Sequence, residues 1–133
     1  RDLEANQVLV AHRIGEVDER GRPVKQAVAI DEVAATLPGW LDAYHDTLLE
    51  RARSFRDERS AVVDDWGAFT EQVKRGFAHV FHCGDEACED EIQAEATASP
   101  RCIPTDGIDE EGVCVRCGRP SAYGKRVVFG RAY

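Results

Sequence analysis

The chain has 133 residues, 43% hydrophobic and 32% charged, with a formal net charge of −8. This length suits one domain or two very small ones, and the apolar content is enough for a core. The acidic balance argues against a protein that coats nucleic acid with its whole surface, and no apolar run reaches membrane-spanning length and no signal peptide opens the sequence.

Val8 to Ala11 form a short apolar run with strand character. Glu16 to Pro23 is polar and carries the breakers Gly21 and Pro23. Val24, Gln26, Val28 and Ile30 share one parity, which predicts a second strand and a hairpin with a long loop over residues 8 to 30. Asp31 is placed to cap a helix that starts at Glu32, and Pro38-Gly39 predicts an interruption in it. A longer helix then runs from about Trp40 to Arg59. Its stripe of Leu37, Leu41, Tyr44, Leu48, Ala52 and Phe55 reads as core packing, and Arg51, Arg53 and Arg56 read as a solvated face. Two strands and a helix bury little area, so this half needs a partner sheet.

Ala61 to Asp65 is the expected boundary, which divides the chain into residues 1–61 and 62–133. Asp64 or Asp65 caps a helix with apolar positions Trp66, Phe69 and Val73, stopped by Gly76. A strand from Phe77 to His82 leads into Cys83, and an acidic helix follows from Asp85 to Thr97. Ser99-Pro100 is expected to end that helix before a short strand over Arg101 to Pro104. An acidic loop covers Thr105 to Gly112, and Arg126 to Phe129 form a final strand. The fold class is therefore α+β: a partial α/β domain made of a hairpin and a long helix, then a small zinc-bound α/β domain.

Cysteine spacing carries most of the chemistry. Cys83 and Cys88 bracket four residues, and Cys114 and Cys117 bracket two, with Gly118 behind them. Two close thiolate pairs complete a tetrahedron around Zn2+, and a four-sulfur site leaves no open position to activate water. Such a zinc holds a fold together and does not catalyse a reaction. Lys125, Arg126 and the amides of the tight turns are expected to offset the sulfur charge. The fifth cysteine, Cys102, reads as a small core residue. An odd cysteine count in metal-type spacing fits a reducing, cytoplasmic setting better than a disulfide scaffold.

Other candidates are weaker. His79 and His82 share a strand, and His82 abuts Cys83 and could replace a sulfur ligand, although four well-spaced cysteines leave little need for it. His12 and His45 stand apart from any base or nucleophile, and no catalytic set is visible. Residues 85 to 111 hold ten acids against Arg101 alone, whereas Arg116, Arg119, Lys125, Arg126 and Arg131 follow with no acid among them. This asymmetry fits two solvated faces, or a local cationic surface for RNA.

Taken together, Arg1-Asp2-Leu3-Glu4, the cysteine set, Arg101-x-Ile103-Pro104 and the closing Val128-Phe129-Gly130-Arg131-Ala132-Tyr133 resemble the C-terminal part of prolyl-tRNA synthetase. The resemblance is to the branch found in archaea, eukaryotes and some bacteria, and it covers essentially the whole chain. It implies that residues 1–61 are the second half of an anticodon-binding domain and residues 62–133 a C-terminal zinc-binding domain. The class II catalytic domain, which uses ATP and Mg2+ to join proline to tRNA(Pro), would lie before Arg1. The implied partners are tRNA(Pro), that catalytic domain and a second subunit, with no membrane. In this family the last tyrosine, matched by Tyr133, folds back near the active site and would support it. One departure is His82, where the family often carries a large aromatic residue. A free-standing zinc module that binds a protein or RNA is the rival reading. A redox protein using Cys114 and Cys117 would leave Cys83 and Cys88 unexplained.

Overall fold

A computed structural model describes residues 4–131. The chain forms two compact units, Arg1–Ala52 and Arg53–Tyr133.

In the first unit, β1 (Gln7–Ala11) and β2 (Lys25–Ala29) pair antiparallel, with Gln7 opposite Ala29 and Ala11 opposite Lys25. The loop between them closes on Asp18. Its carboxylate accepts from the Arg20 and Arg22 backbone amides, each at 2.9 Å, and from the Arg22 guanidinium. β2 runs directly into α1 (Ile30–Asp57), whose first turn carries Asp31 and Glu32, favourable charges at a helix N-terminus.

The helix continues through Pro38, where the sequence predicted a break. A proline inside a helix removes one backbone hydrogen bond and costs about 3 kcal/mol. That local loss does not end a helix of 28 residues. No residue of α1 is buried, and Leu37, Leu41 and Leu48 are 43%, 58% and 44% exposed. The apolar stripe is therefore not core packing here, in keeping with a hairpin and helix that need a further sheet.

The second unit holds the core. β3 (Ser60–Val62), β4 (Phe77–Val80), β5 (Ala98–Cys102) and β6 (Val127–Arg131) form one sheet in the order β3-β4-β6-β5. β3 and β4 are parallel and joined through α2 (Trp66–Gln72), and the other pairings are antiparallel. α3 (Glu86–Ala96) connects the β4 end to β5. Phe69, Val80, Ile92 and Phe129 are the largest side chains sealed from solvent. The Phe69 and Phe129 rings meet edge to face at 5.7 Å, and Trp66 stacks on Phe69 at 5.2 Å. Phe69 and Phe129, both fully buried, each contribute about 1.5–3 kcal/mol by leaving water.

Three expectations need correction. Ser60–Val62 is a strand, where the sequence reading named no element and placed a boundary from Ala61; three residues are too few for a periodic signal, and pairing with Phe77–His79 is what makes them extended. β5 begins at Ala98 and passes through Ser99-Pro100, which the sequence marked as a break. An edge strand tolerates proline because one of its sides makes no ladder bonds, and a register shift follows between Pro100 and Cys102. Cys102 is exposed, not a core residue.

Candidate metal centre

The first cysteine pair is built by a strand, a turn and a helix. Cys83 follows β4 by three residues. Gly84 then takes φ +74°, a left-handed conformation suited to glycine, and a Cβ there would meet Ala122 at 3.0 Å. Asp85 is the N-cap of α3, its carboxylate accepting from the Ala87 amide at 3.0 Å. This start places Cys88, buried, in the first turn of α3.

The second pair sits in a tight turn. The Gly118 amide donates to the Cys114 carbonyl at 2.9 Å and the Cys114 amide to the Arg119 carbonyl at 2.8 Å. Two further backbone bonds dock this turn on the segment before Cys83: Val115 N–H to Phe81 C=O at 3.0 Å, and Ala122 N–H to His82 C=O at 3.1 Å.

These elements bring all four predicted sulfurs together. Cys88 Sγ lies 3.7 Å from Cys114 Sγ, and Cys117 Sγ lies 3.6 Å from Cys83 Sγ. A zinc–sulfur bond of about 2.3 Å implies a tetrahedral sulfur–sulfur edge of about 3.8 Å. The observed spacings fit that edge, and all four cysteines are free thiols. The donor set therefore suits a thiophilic dication.

The sulfurs differ in their surroundings. The hydrogen bond from Arg119 lowers the Cys117 thiol to about 6. Burial, followed by the neighbouring Cys114 thiol, pushes Cys88 well above the ordinary thiol range, and burial also raises Cys83. Arg119 is the cation of the site. Its Nε reaches Cys117 Sγ at 3.3 Å, and its Nη2 reaches Cys83 Sγ at 3.5 Å and the Asp85 carboxylate at 2.7 Å. Four thiolates around a dication leave two negative charges in excess, which a guanidinium partly offsets.

Arg119 was missed in the sequence, although its place two residues beyond Cys117 was the available signal. The residues named instead serve other partners. Lys125 reaches the Thr105 carbonyl and Asp109, and Arg126 pairs with Asp64 and Glu110 while covering the Phe81 ring. Arg116 pairs with Glu91 and Glu95 and lies over Trp66. Much of the basic segment is thus neutralised by the acidic one. Tyr133 lies outside the described residues.

His82 also belongs to the cluster. One ring nitrogen lies within 4.8 Å of ligand sulfurs on Cys83, Cys88 and Cys114. The residue is 2% exposed, and its Nδ1 accepts from the Gly84 amide at 3.2 Å. Its Nε2 has no hydrogen-bond partner among the described residues. Burial holds the imidazole below its ordinary titration range.

Comparison with known proteins gives this centre its setting. The chain is 47% identical over 133 residues to the proline–tRNA ligase of Mycobacterium leprae, and 49% identical over the same length to proline–tRNA ligase 2 of Rhodococcus jostii. It is matched over its whole length and spans 26% of each relative. The crystal structure of prolyl-tRNA synthetase from Cryptosporidium parvum, complexed with halofuginone and AMPPNP, superposes with a TM-score of 0.77 at 25% identity. That match covers 99% of this chain and 27% of the other. A family model described as prolyl-tRNA synthetase, C-terminal, matches residues 66–133. With its mixed sheet-and-helix fold and clustered cysteines, the chain belongs to the prolyl-tRNA synthetase C-terminal family.

Proposed function

We propose that this chain is the closing part of a cytoplasmic proline–tRNA ligase, a class II synthetase, and that Cys83, Cys88, Cys114 and Cys117 hold a structural Zn2+ in it. The observation that carries the metal reading is the pair of sulfur–sulfur spacings, 3.6 and 3.7 Å, across the two cysteine turns. When bound, the ion would supply a crosslink between β4, α3 and the Cys114 turn, with no free position for substrate. Arg119 would balance the excess negative charge, and Asp85 would keep Arg119 in place.

Residues 1–61 would complete an anticodon-binding domain, and residues 62–133 would form the zinc-binding domain. The uncovered leucines of α1 support this reading, because a helix with an apolar stripe and no buried residue requires a further layer. Single-stranded anticodon bases are read by stacking and edge hydrogen bonds, so an acidic protein is compatible with tRNA(Pro) binding through a local surface. ATP and Mg2+ would be bound by the catalytic domain elsewhere in the same polypeptide, acting in a homodimer. Tyr133 would lie near that catalytic centre.

The test is proline-dependent ATP–pyrophosphate exchange and tRNA(Pro) charging by the full-length protein, together with metal analysis. Proline activation with one zinc per chain is the expected result. Failure to activate proline would defeat the synthetase reading, and absence of zinc would defeat the metal reading. Normal charging after removal of Tyr133 would remove the role given to the terminus.

A further inference from the structure

We propose that His82 is a fifth donor of the metal centre, which takes the coordination position of Cys117 when that sulfur is lost and so retains the metal with one nitrogen and three sulfurs. This rests on the reading of the cysteine cluster as a metal site.

His82 shares a sphere of 4.8 Å with Cys83, Cys88 and Cys114, while Cys117 closes on the same group through Cys83. Three sulfurs are thus common to both sets, and Cys117 and His82 are the alternatives for a fourth place. They differ in access, since Cys117 is exposed and His82 is sealed from solvent. Cys88 and Cys114 are buried and Cys83 is half-buried, so Cys117 is the sulfur that a reagent in solution meets first.

His82 Nδ1 accepts from Gly84 N–H, which places a lone pair on Nδ1 and the proton on Nε2. A ring nitrogen with an available lone pair is the form a metal takes. Binding through Nδ1 would give up a single 3.2 Å contact made two residues away in sequence. The change replaces one lone-pair donor with another. No atom is oxidised or reduced, and the centre becomes less negative by one charge.

The His82 ring packs against Phe129, with centroids 5.5 Å apart, which holds it beside the cluster.

The experiment uses the full-length protein loaded with Co2+, as wild type, Cys117→Ala, His82→Phe and the double variant. Wild type and His82→Phe are expected to give one four-sulfur cobalt centre per chain. Cys117→Ala should still bind one cobalt, with its d–d bands moved to shorter wavelength and roughly a quarter of the thiolate-to-cobalt charge-transfer absorbance lost. The double variant should bind cobalt about tenfold or more weakly than Cys117→Ala. Equal affinity and identical spectra for Cys117→Ala and the double variant would overturn the proposal, because solvent would then be filling the vacated place. Loss of cobalt from His82→Phe alone would also overturn it, since His82 would then be a resident ligand; His82→Gln repeats the comparison if the phenylalanine variant misfolds. A wild-type protein that binds no cobalt would defeat the metal reading itself.

Discussion

Arg119 holds the Asp85 carboxylate at 2.7 Å, which ties the cap of α3 to the second cysteine turn. The ion pair is partly exposed, with side chains 55% and 37% accessible, so by itself it adds little to stability. Its value lies in aiming the guanidinium at Cys117 and Cys83. Arg119→Ala should weaken metal affinity by about tenfold, with little change in the metal-bound melting temperature. Arg119→Lys should not restore it, because an ammonium lacks the planar fork that reaches two sulfurs and a carboxylate at once. Chelator competition measures both variants, and wild-type affinity in Arg119→Ala would remove the role.

Removing the ion should melt the second unit. Structural zinc contributes about 10–16 kcal/mol in isolated peptides, more than a core of this size usually supplies. Chelation or Cys114→Ser is expected to abolish the far-UV circular dichroism of residues 62–133, whereas Cys102→Ser should leave metal content and melting unchanged. Intact structure after complete metal removal would refute this expectation.

The contrast between Cys102 and the other cysteines shows what a linear sequence reveals. Ligand spacing is local, so two short brackets were enough to single out four cysteines whose sulfurs the fold brings into two close pairs. α2 and α3 were legible from local pattern too: of the two caps the sequence offered for α2, Asp65 accepts from Ala68, and the helix expected from Asp85 begins with that residue as its cap, accepting from Ala87. β3 was not, because three residues become a strand only through β4. Pro100 misled because its tolerance depends on lying at a sheet edge, and Pro38 because the surrounding helix overrides one missing bond. His82 was noted beside Cys83, but its orphaned nitrogen appears only in three dimensions.

Gly112 has no room for a side chain. A Cβ there would stand 2.1 Å from two carbons of the Phe81 ring, which is 6% exposed. Gly112→Ala must displace Phe81, whose carbonyl receives the Val115 amide at the cysteine turn. Overpacking of this kind costs about 1–3 kcal/mol, read as a lower denaturation midpoint with an unchanged slope. Faster metal loss to a chelator should accompany it.

Burial, reinforced by the nearby Arg126 charge, holds His79 below the ordinary imidazole value of about 6.5. The unfolded chain therefore takes up a proton at this residue before the folded one does. Stability from the neutral state is complete above pH ~6.5 and is lost as pH falls from there through the lower folded value. His79→Gln should flatten that slope in denaturant titrations between pH 7 and 5. An unchanged slope would show that other groups set it.

The sheet order β3-β4-β6-β5 has a consequence for biosynthesis. β6, the last of these four strands in sequence, lies between two made earlier, and Phe129 supplies the ring that fills their shared interior. While a ribosome is still short of Val127, β4 and β5 have no central neighbour and the emerging chain cannot settle. A chain that stops before Phe129 therefore leaves β4 and β5 without their shared neighbour and with open strand edges, the kind of surface that pairs with other chains.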